Sequence, residues 1–162
     1  MSMVRIGNWE RASQIMNNLT TDLHKARLRS LRQWSLKAES LAKGHMSAQD
    51  LGWTALKAKT VAEKIRKGQS DLILIATSSY FQAITSWTTQ NAALVGVRRG
   101  VRGKDGQILD VVAATHEYGA PSKNIPARPL WKIVLKETMK WHYDNNTPQL
   151  HYMNHVTGKT PL

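Results

Sequence analysis

The chain of 162 residues contains no cysteine, so it can form neither a disulfide bond nor a metal site built on thiolates. It also lacks any run of about 18 uninterrupted apolar residues, and we therefore expect no membrane-spanning helix. The N-terminal sequence MSMVRIGNWERAS has no apolar stretch typical of a secretory signal. These absences predict a protein that folds in a reducing cytoplasm, or in a particle assembled there.

Acidic residues are also scarce, because 11 Asp and Glu stand against 23 Lys and Arg, for a net charge of +12. Asp71, Asp105 and Asp110 form no recognisable carboxylate cluster, which disfavours a metal-dependent nuclease. A positive excess of this size predicts contact with a polyanion or with an acidic partner surface, although charge alone confers no sequence specificity. A solubilising surface charge is the alternative interpretation.

Hydrophobic periodicity predicts an α+β fold, with long N-terminal and C-terminal helices packed on a small antiparallel sheet. The first helix is expected over residues 9–43, where Gly44 would end it, and Ser47 with Asp50 would begin the next helical segment. Further helices are expected at residues 56–66, 79–83, 110–118 and 130–142, and strands at residues 85–88 and 93–99. Residues 1–143 would form a single α+β domain, and residues 144–162, which show no period, an extended C-terminal arm.

Two histidine patterns could indicate chemistry, but neither has the context that chemistry needs. His151 and His155 have the spacing of metal ligands on a helix, yet no Glu follows the first of them as the zinc-protease motif requires. His116 and Glu117 could act as an acid–base pair, but adjacent residues on a helix do not face each other. The sequence therefore predicts no catalytic residues, no metal site and no cofactor, and favours binding or assembly over catalysis.

The basic residues concentrate in two segments. One is the polar side of the first helix, and the other is the Gly-rich loop of residues 98–106, which lacks the spacing of a phosphate-binding P-loop. We predict that the contacts to DNA, or to an acidic partner, come from Lys25, Arg29, Arg32, Arg98, Arg99, Arg102 and Lys104. Of the six tryptophans, Trp9 and Trp141 lie near predicted helix ends and are candidate interface anchors, with burial in the core as the alternative.

The segment HEYGAPSKNIPARPLW, residues 116–131, carries the strongest local constraints on the backbone. Gly119 can adopt a positive φ and end a helix, and the three prolines that follow favour a turn and a short edge strand before a helix restarts at Leu130. Arg128 is the one charge in the otherwise apolar residues 125–131 and would suit a carboxylate, as a structural ion pair, or a main-chain carbonyl. The predicted turn motif comprises His116, Glu117, Tyr118, Gly119, Ile125, Pro126, Arg128 and Pro129.

The stretches AATHEYG (residues 113–119) and IPARPL (residues 125–130) resemble the C-terminal signature of phage tail-completion proteins. These are the virion-morphogenesis or minor tail proteins of long-tailed bacteriophages. A second and more degenerate similarity covers WTAL (residues 53–56), the lysine-bearing helix of residues 60–67, and Leu74, Thr77, Tyr80 and Ile84. Ser78 stands where the family usually has glycine.

The resemblance implies a structural virion protein of the neck, assembled in the host cytoplasm and without enzymatic activity. Such subunits form a homo-oligomeric ring, expected here to be a hexamer with a twelvefold ring as the alternative, at the head-proximal end of the tail. The implied partners are further copies of the chain, the tail terminator and tail tube proteins, the head–tail adaptor or connector, and genome DNA bound nonspecifically, but no membrane. The alternative function is that of a free-standing basic nucleic-acid-binding protein.

Overall fold

The computed structural model describes residues 7–157, except for the side chains of residues 155 and 156. In this part of the chain the elements follow in the order α1 (Trp9–Ala48), α2 (Ala58–Arg66), α3 (Ser79–Ala83), β1 (Ile84–Thr88), β2 (Ala93–Val97), α4 (Leu109–Tyr118), a 3-10 turn (Pro121–Lys123), α5 (Trp131–Asn145) and α6 (Pro148–Thr157). The predicted α+β class is confirmed. None of the described helices is both long enough and apolar enough to cross a membrane.

Helix α1 is 40 residues long and runs past the glycine that was expected to end it. Its C-cap is Gln49, which adopts a left-handed conformation with φ 56°. The prediction of an end at Gly44 was wrong, and so was that of a helix start at Ser47, which lies inside α1. The physical reason is packing: Met46, two residues after Gly44, is fully buried, and its burial outweighs the roughly 1 kcal/mol that a helical glycine costs.

The two strands form an antiparallel hairpin in which Ile84 pairs with Val97 and Thr88 pairs with Ala93. Helix α1 packs against both strands of this hairpin, and the carboxylate of Glu39 links the two. Glu39 Oε2 accepts hydrogen bonds from the Ser86 backbone N–H at 2.9 Å and from its hydroxyl at 2.6 Å. The bond from Lys43, followed by those from Ser86, holds the pKa of Glu39 below its usual value. The predicted hairpin, and the helices predicted at residues 56–66 and 79–83, are confirmed to within two residues.

The core lies where α1, the hairpin, α4 and α5 meet. Its buried residues form one cluster, made of Ala38, Ala42, Met46, Tyr80, Ile84, Leu109, Leu130 and Val134. Trp53 and Trp131 are partly buried against that cluster. The indole of Trp53 donates to the Pro129 carbonyl at 3.1 Å, so the segment before α2 is held against the segment before α5.

The expectation of an extended C-terminal arm was wrong for the residues that the structure describes. Helix α5 continues to Asn145, beyond the expected domain limit at residue 143, and α6 packs against α1. The attachment is polar: the fully buried Asn146 side chain donates to the Ser30 carbonyl at 2.8 Å and bonds His151 Nε2 at 2.6 Å. Because this contact needs no apolar stripe, hydrophobic periodicity could not reveal it. Residues 158–162 of the expected arm lie outside the described residues.

Candidate functional site

The connection from α4 to α5, taken together with the adjoining helix ends, spans residues 116–131, and we call it the α4–α5 junction. Gly119 ends α4 with φ 78° and ψ 169°, as the sequence predicted for a glycine there. A Cβ atom at this position would lie 2.9 Å from the Ala127 nitrogen and 3.2 Å from the Ile125 oxygen. The backbone therefore passes so close to itself that no side chain fits at Gly119 without displacing main-chain atoms.

The expected edge strand of the junction is reduced to a single antiparallel bridge between Ala120 and Ile125. The Ala120 N–H donates to the Ile125 carbonyl at 2.8 Å, and the Ile125 N–H donates back at 3.1 Å. A third bond, from the Arg128 N–H to the His116 carbonyl at 2.6 Å, joins the end of α4 to the approach of α5. The 3-10 turn at Pro121–Lys123 uses the residues between the bridged positions, which leaves too few for a strand.

Glu117 caps a helix to which it does not belong. Its carboxylate accepts hydrogen bonds from the backbone N–H groups of Leu130 at 2.7 Å, Trp131 at 3.0 Å and Lys132 at 3.2 Å. The first turn of a helix leaves these groups without intrahelical partners and carries partial positive charge, so an anion there is stabilising. Sequence reasoning placed Glu117 in the turn motif but missed this role, because only the fold brings it to the start of α5.

Arg128 is 5% exposed, and within the described residues its guanidinium makes no ion pair. Its Nη2 donates weakly to the Thr54 carbonyl at 3.4 Å, and its Nε has no hydrogen-bond partner. The expected ion pair with a neighbouring carboxylate was therefore wrong, because Glu117 turns to the N–H groups of α5. The main-chain carbonyl, named as the other possibility, is what Arg128 contacts.

Arg128 and His116 line a cavity of about 300 Å³, which we call the α2–α4 cleft. Its walls come from α2, the segment of residues 69–77, α4 and the loop of residues 103–107. His116 Nδ1 is buried without a partner. Burial, and secondarily the charge of Arg128, lowers the pKa of His116, whereas burial raises the pKa of Tyr80 in the same wall to about 12.

Two lysines, Lys64 in α2 and Lys67 directly after it, also line the cleft, and neither was predicted from the sequence as a site residue. The Lys64 ammonium donates to the Leu72 carbonyl at 2.6 Å and to the Ile75 carbonyl at 3.2 Å, which holds the following segment against α2. Lys67 lines the cleft too and is exposed. The residues of this cleft come from separate parts of the chain, so no local motif could have identified it.

All seven predicted basic contacts are exposed, and they form two separate surfaces. The helix surface comprises Lys25, Arg29 and Arg32, and the loop surface comprises Arg98, Arg99, Arg102 and Lys104. Arg27, on the same part of α1 as the helix surface, bonds Asn91 in the hairpin turn at 3.0 Å, whereas the loop surface follows the far end of β2. A five-residue strand, roughly 17 Å long, thus lies between them, and the structure does not bring them together.

The loop surface makes few contacts of its own. Arg98 stacks over the Trp87 ring at 5.2 Å, and Arg102 donates to the Gly106 carbonyl at 3.2 Å. No acidic side chain in residues 7–157 forms an ion pair with the four cations of this surface. Their charge is therefore available to an external anion.

The two candidate interface anchors differ in their surroundings. Trp9 is 57% exposed, and Met16 and Leu23, which follow at intervals of seven residues along α1, are 69% and 40% exposed. Trp141 is half-buried, and the Lys37 ammonium lies 5.9 Å from the centre of its ring. Trp9 thus belongs to an exposed apolar stripe, while Trp141 is partly occupied by a contact within the chain.

Among the residues that the structure describes, no group of three or more His, Asp and Glu side chains is placed to hold a metal ion. His151 packs against Asn146, and the side chain of His155 lies outside the described residues. His116 faces the cleft, whereas Glu117 faces α5, so the two do not act on a common atom. The junction and the two basic surfaces are therefore the features from which function can be argued.

Comparison of the chain with protein-family models, with curated proteins and with solved structures finds no match. The similarity to tail-completion proteins therefore depends on the residues quoted for it, chiefly residues 113–130. Those residues build the α4–α5 junction, and the function they support follows from what each of them does there.

Proposed function

We propose that the chain is a tail-completion subunit of a long-tailed bacteriophage. In this role it forms a ring at the head-proximal end of the tail and joins the tail to the head connector, with DNA passing through the lumen. The observation that carries the proposal is that the residues resembling the family signature fix the backbone geometry of the α4–α5 junction. Glu117 caps α5, Gly119 allows the close approach, and Arg128 is buried beside it.

A signature of this kind fits an assembly protein better than an enzyme. Glu117, Gly119 and Arg128 each contact main-chain groups of the same subunit. Residues with such roles maintain the backbone conformation of the subunit. Ser78 adds support, because it adopts a left-handed conformation with φ 59° at the position where the family usually has glycine. Glycine reaches that conformation without the cost that other residues bear.

The first turns of α1 support assembly independently of the resemblance. Helices of a few turns are marginal in water unless they pack against something. The stripe of Trp9, Met16 and Leu23 has the seven-residue repeat of a helix–helix seam and is exposed in the single chain. In a closed ring each subunit presents one patch to a different patch of its neighbour, and this stripe is suited to be one of the two.

The proposal is tested by the oligomeric state and by the position of the protein in the virion. We expect light scattering of the protein mixed with tails, and reconstruction of the virion neck, to show a closed ring of six or twelve copies. Met16→Ser should weaken ring formation, whereas Leu36→Ser, a matched loss of an exposed apolar side chain elsewhere on α1, should not. Single copies at the neck, or none, would overturn the proposal.

One observation favours the alternative of a free-standing nucleic-acid-binding protein. Lys25, Arg29 and Arg32 are spaced four and three residues apart, so they share one face of α1 and could contact successive phosphates of a duplex. A monomer or dimer that prefers one DNA sequence would support this alternative. A ring that binds duplex DNA without sequence preference would support the tail-completion subunit.

A further inference from the structure

We propose that the α2–α4 cleft is a binding site for a carboxylate that a partner protein supplies on an acidic side chain, and that this carboxylate pairs with Arg128. The inference stands apart from the proposed function, since it concerns a site within one subunit and holds whether or not the subunits form a ring. It starts from Arg128, which among residues 7–157 is the one buried lysine or arginine and makes no ion pair.

The guanidinium of Arg128 has five N–H donors, and the structure gives it one weak bond to the Thr54 carbonyl at 3.4 Å. Its Nε is buried and has no partner, although the residue is only 5% exposed. A buried charge without a counter-ion is destabilising, and a planar guanidinium is matched best by two oxygens of one carboxylate. The arrangement is thus complete only when an oxyanion enters the cleft.

The other charges of the cleft favour the same occupant. Lys64 and Lys67 line it together with Arg128, and Asp105 is the single carboxylate residue among the described residues of its lining. Three cations against one acid give the cleft a positive potential, which concentrates anions in a partly enclosed site. His116 Nδ1, also buried without a partner, supplies a further donor when it carries the proton.

The shape of the cleft selects a side chain over duplex DNA. Its volume of about 300 Å³ accommodates a few side-chain groups, and Leu56, Leu74 and Val112 provide apolar wall for the methylene groups of a glutamate. The phosphates of a duplex lie on a stiff rod that cannot enter a cleft to reach a guanidinium 5% exposed. An acidic side chain on a protein segment has both the length and the flexibility required.

The direct test follows the Arg128 Nε–H signal by NMR during titration with a doubly blocked glutamate, N-acetyl-glutamate N-methylamide. We expect a saturable shift of this signal, whereas the glutamine counterpart, which has the same shape without the charge, should leave it in place. No saturable shift, or an equal shift with the glutamine compound, would overturn the proposal. Inorganic phosphate forms a third arm, and tighter binding of phosphate than of the glutamate compound would also overturn it.

Two pairs of variants test the site without altering Arg128, whose replacement could prevent folding. Lys67→Gln removes a cation of the lining and should weaken binding about two- to fivefold, whereas Lys59→Gln, at an exposed position of α2 outside the cleft, should not. Gln107→Glu adds a competing carboxylate to the lining and should weaken binding, and Gln82→Glu, outside it, should not. Equal affinities within both pairs would overturn the proposal.

Discussion

The two connections on either side of α4 use charge in opposite ways. Before α4, the loop surface leaves Arg98, Arg99, Arg102 and Lys104 exposed and without ion pairs in the described chain. After α4, the junction turns Glu117 onto backbone N–H groups and buries Arg128. The glycines differ as well, because a Cβ at Gly106 would meet open space and one at Gly119 would meet the backbone.

The difference shows that charged side chains in a connection between elements have one of two roles: some stabilise the fold, and others are free to contact a partner. Where a charged side chain reaches main-chain groups, as Glu117 does, it fixes the geometry of the connection and its loss is felt as instability. Where it reaches only solvent, its loss leaves the fold intact and is felt by a partner instead. Each of the following experiments tests one side of this division.

The largest effect is expected from Gly119→Ala, with Gly106→Ala as the matched control in the loop. Both glycines have positive φ, 78° and 72°, so both variants carry backbone strain of at least about 1 kcal/mol, and Gly119 also has ψ 169°, a combination that only glycine adopts readily. Only at Gly119 does the new Cβ also meet the Ala127 nitrogen at 2.9 Å, and we expect a total loss of about 3 kcal/mol. Chemical denaturation measures both. Equal losses of unfolding free energy in the two variants would mean that the backbone at Gly119 is not closely packed against that of Ala127.

The next largest effect is expected from Glu117→Gln, which keeps the shape but removes the negative charge and one acceptor oxygen. Because three N–H groups of α5 depend on this carboxylate, unfolding free energy should fall by about 1–2 kcal/mol. Glu63→Gln, an exposed position on α2, should change it by less than about 0.5 kcal/mol. The capping role is refuted if the two variants are equally stable.

The sequence alone was enough to predict the features that depend on local residues, but not those that depend on contacts between distant residues. Gly119 and the prolines after it act through their own φ angles, so the helix end and the turn were predictable from those residues alone. The exposed charges of the loop were predictable because the segment offers no apolar period. The fold class and most element limits followed from periodicity in the same way.

What escaped prediction depends on contacts between distant segments. Glu117 reaches α5 across 13 residues, Asn146 reaches Ser30 across 116, and the partner of Arg128 is a carbonyl 74 residues away. These are polar contacts between residues far apart in the chain, and they produce no periodic pattern in the sequence. The extension of α1 past Gly44 escaped for a related reason, since it depends on the tertiary burial of Met46.

A smaller effect on stability is expected when pH is lowered, through the protonation of His116 in the α4–α5 junction. Burial, and secondarily Arg128, lowers the pKa of His116, so the unfolded chain takes up its proton before the folded chain does. The stability linked to neutral His116 is complete above the unfolded pKa of about 6.5 and is lost as pH falls below it. His142 and His151, whose pKa values burial also lowers, add to this loss.

The contribution of His116 is isolated by comparing variants at pH 7.5 and pH 5.5. We expect His116→Gln to lose less stability than the unmodified protein over this interval, because glutamine takes up no proton. The exposed His24→Gln should lose as much as the unmodified protein. A His116→Gln variant that is as sensitive to acid as the unmodified protein would show that the His116 ring is not confined by the junction.

The smallest effect on stability, and the largest on binding, is expected at the loop surface. The double variant Arg99→Gln with Lys104→Gln should change unfolding free energy by less than about 0.5 kcal/mol, because neither side chain makes a hydrogen bond or an ion pair in the structure. If this surface lines a DNA passage, each lost phosphate contact reduces counterion release. The plot of log binding constant against log salt should then become shallower by about 2.

Three comparisons make that result decisive. Lys132→Gln with Lys136→Gln removes the same charge from α5, outside both surfaces, and should leave the salt slope unchanged. Arg29→Gln with Arg32→Gln asks the same question of the helix surface, and the pair that flattens the slope identifies the surface that meets DNA. Binding that prefers one sequence and survives high salt would contradict phosphate contact and favour the free-standing DNA-binding protein. Absence of duplex binding at low salt would mean that the exposed cations meet an acidic protein neighbour, because a moving genome held by weak contacts still binds when screening is removed.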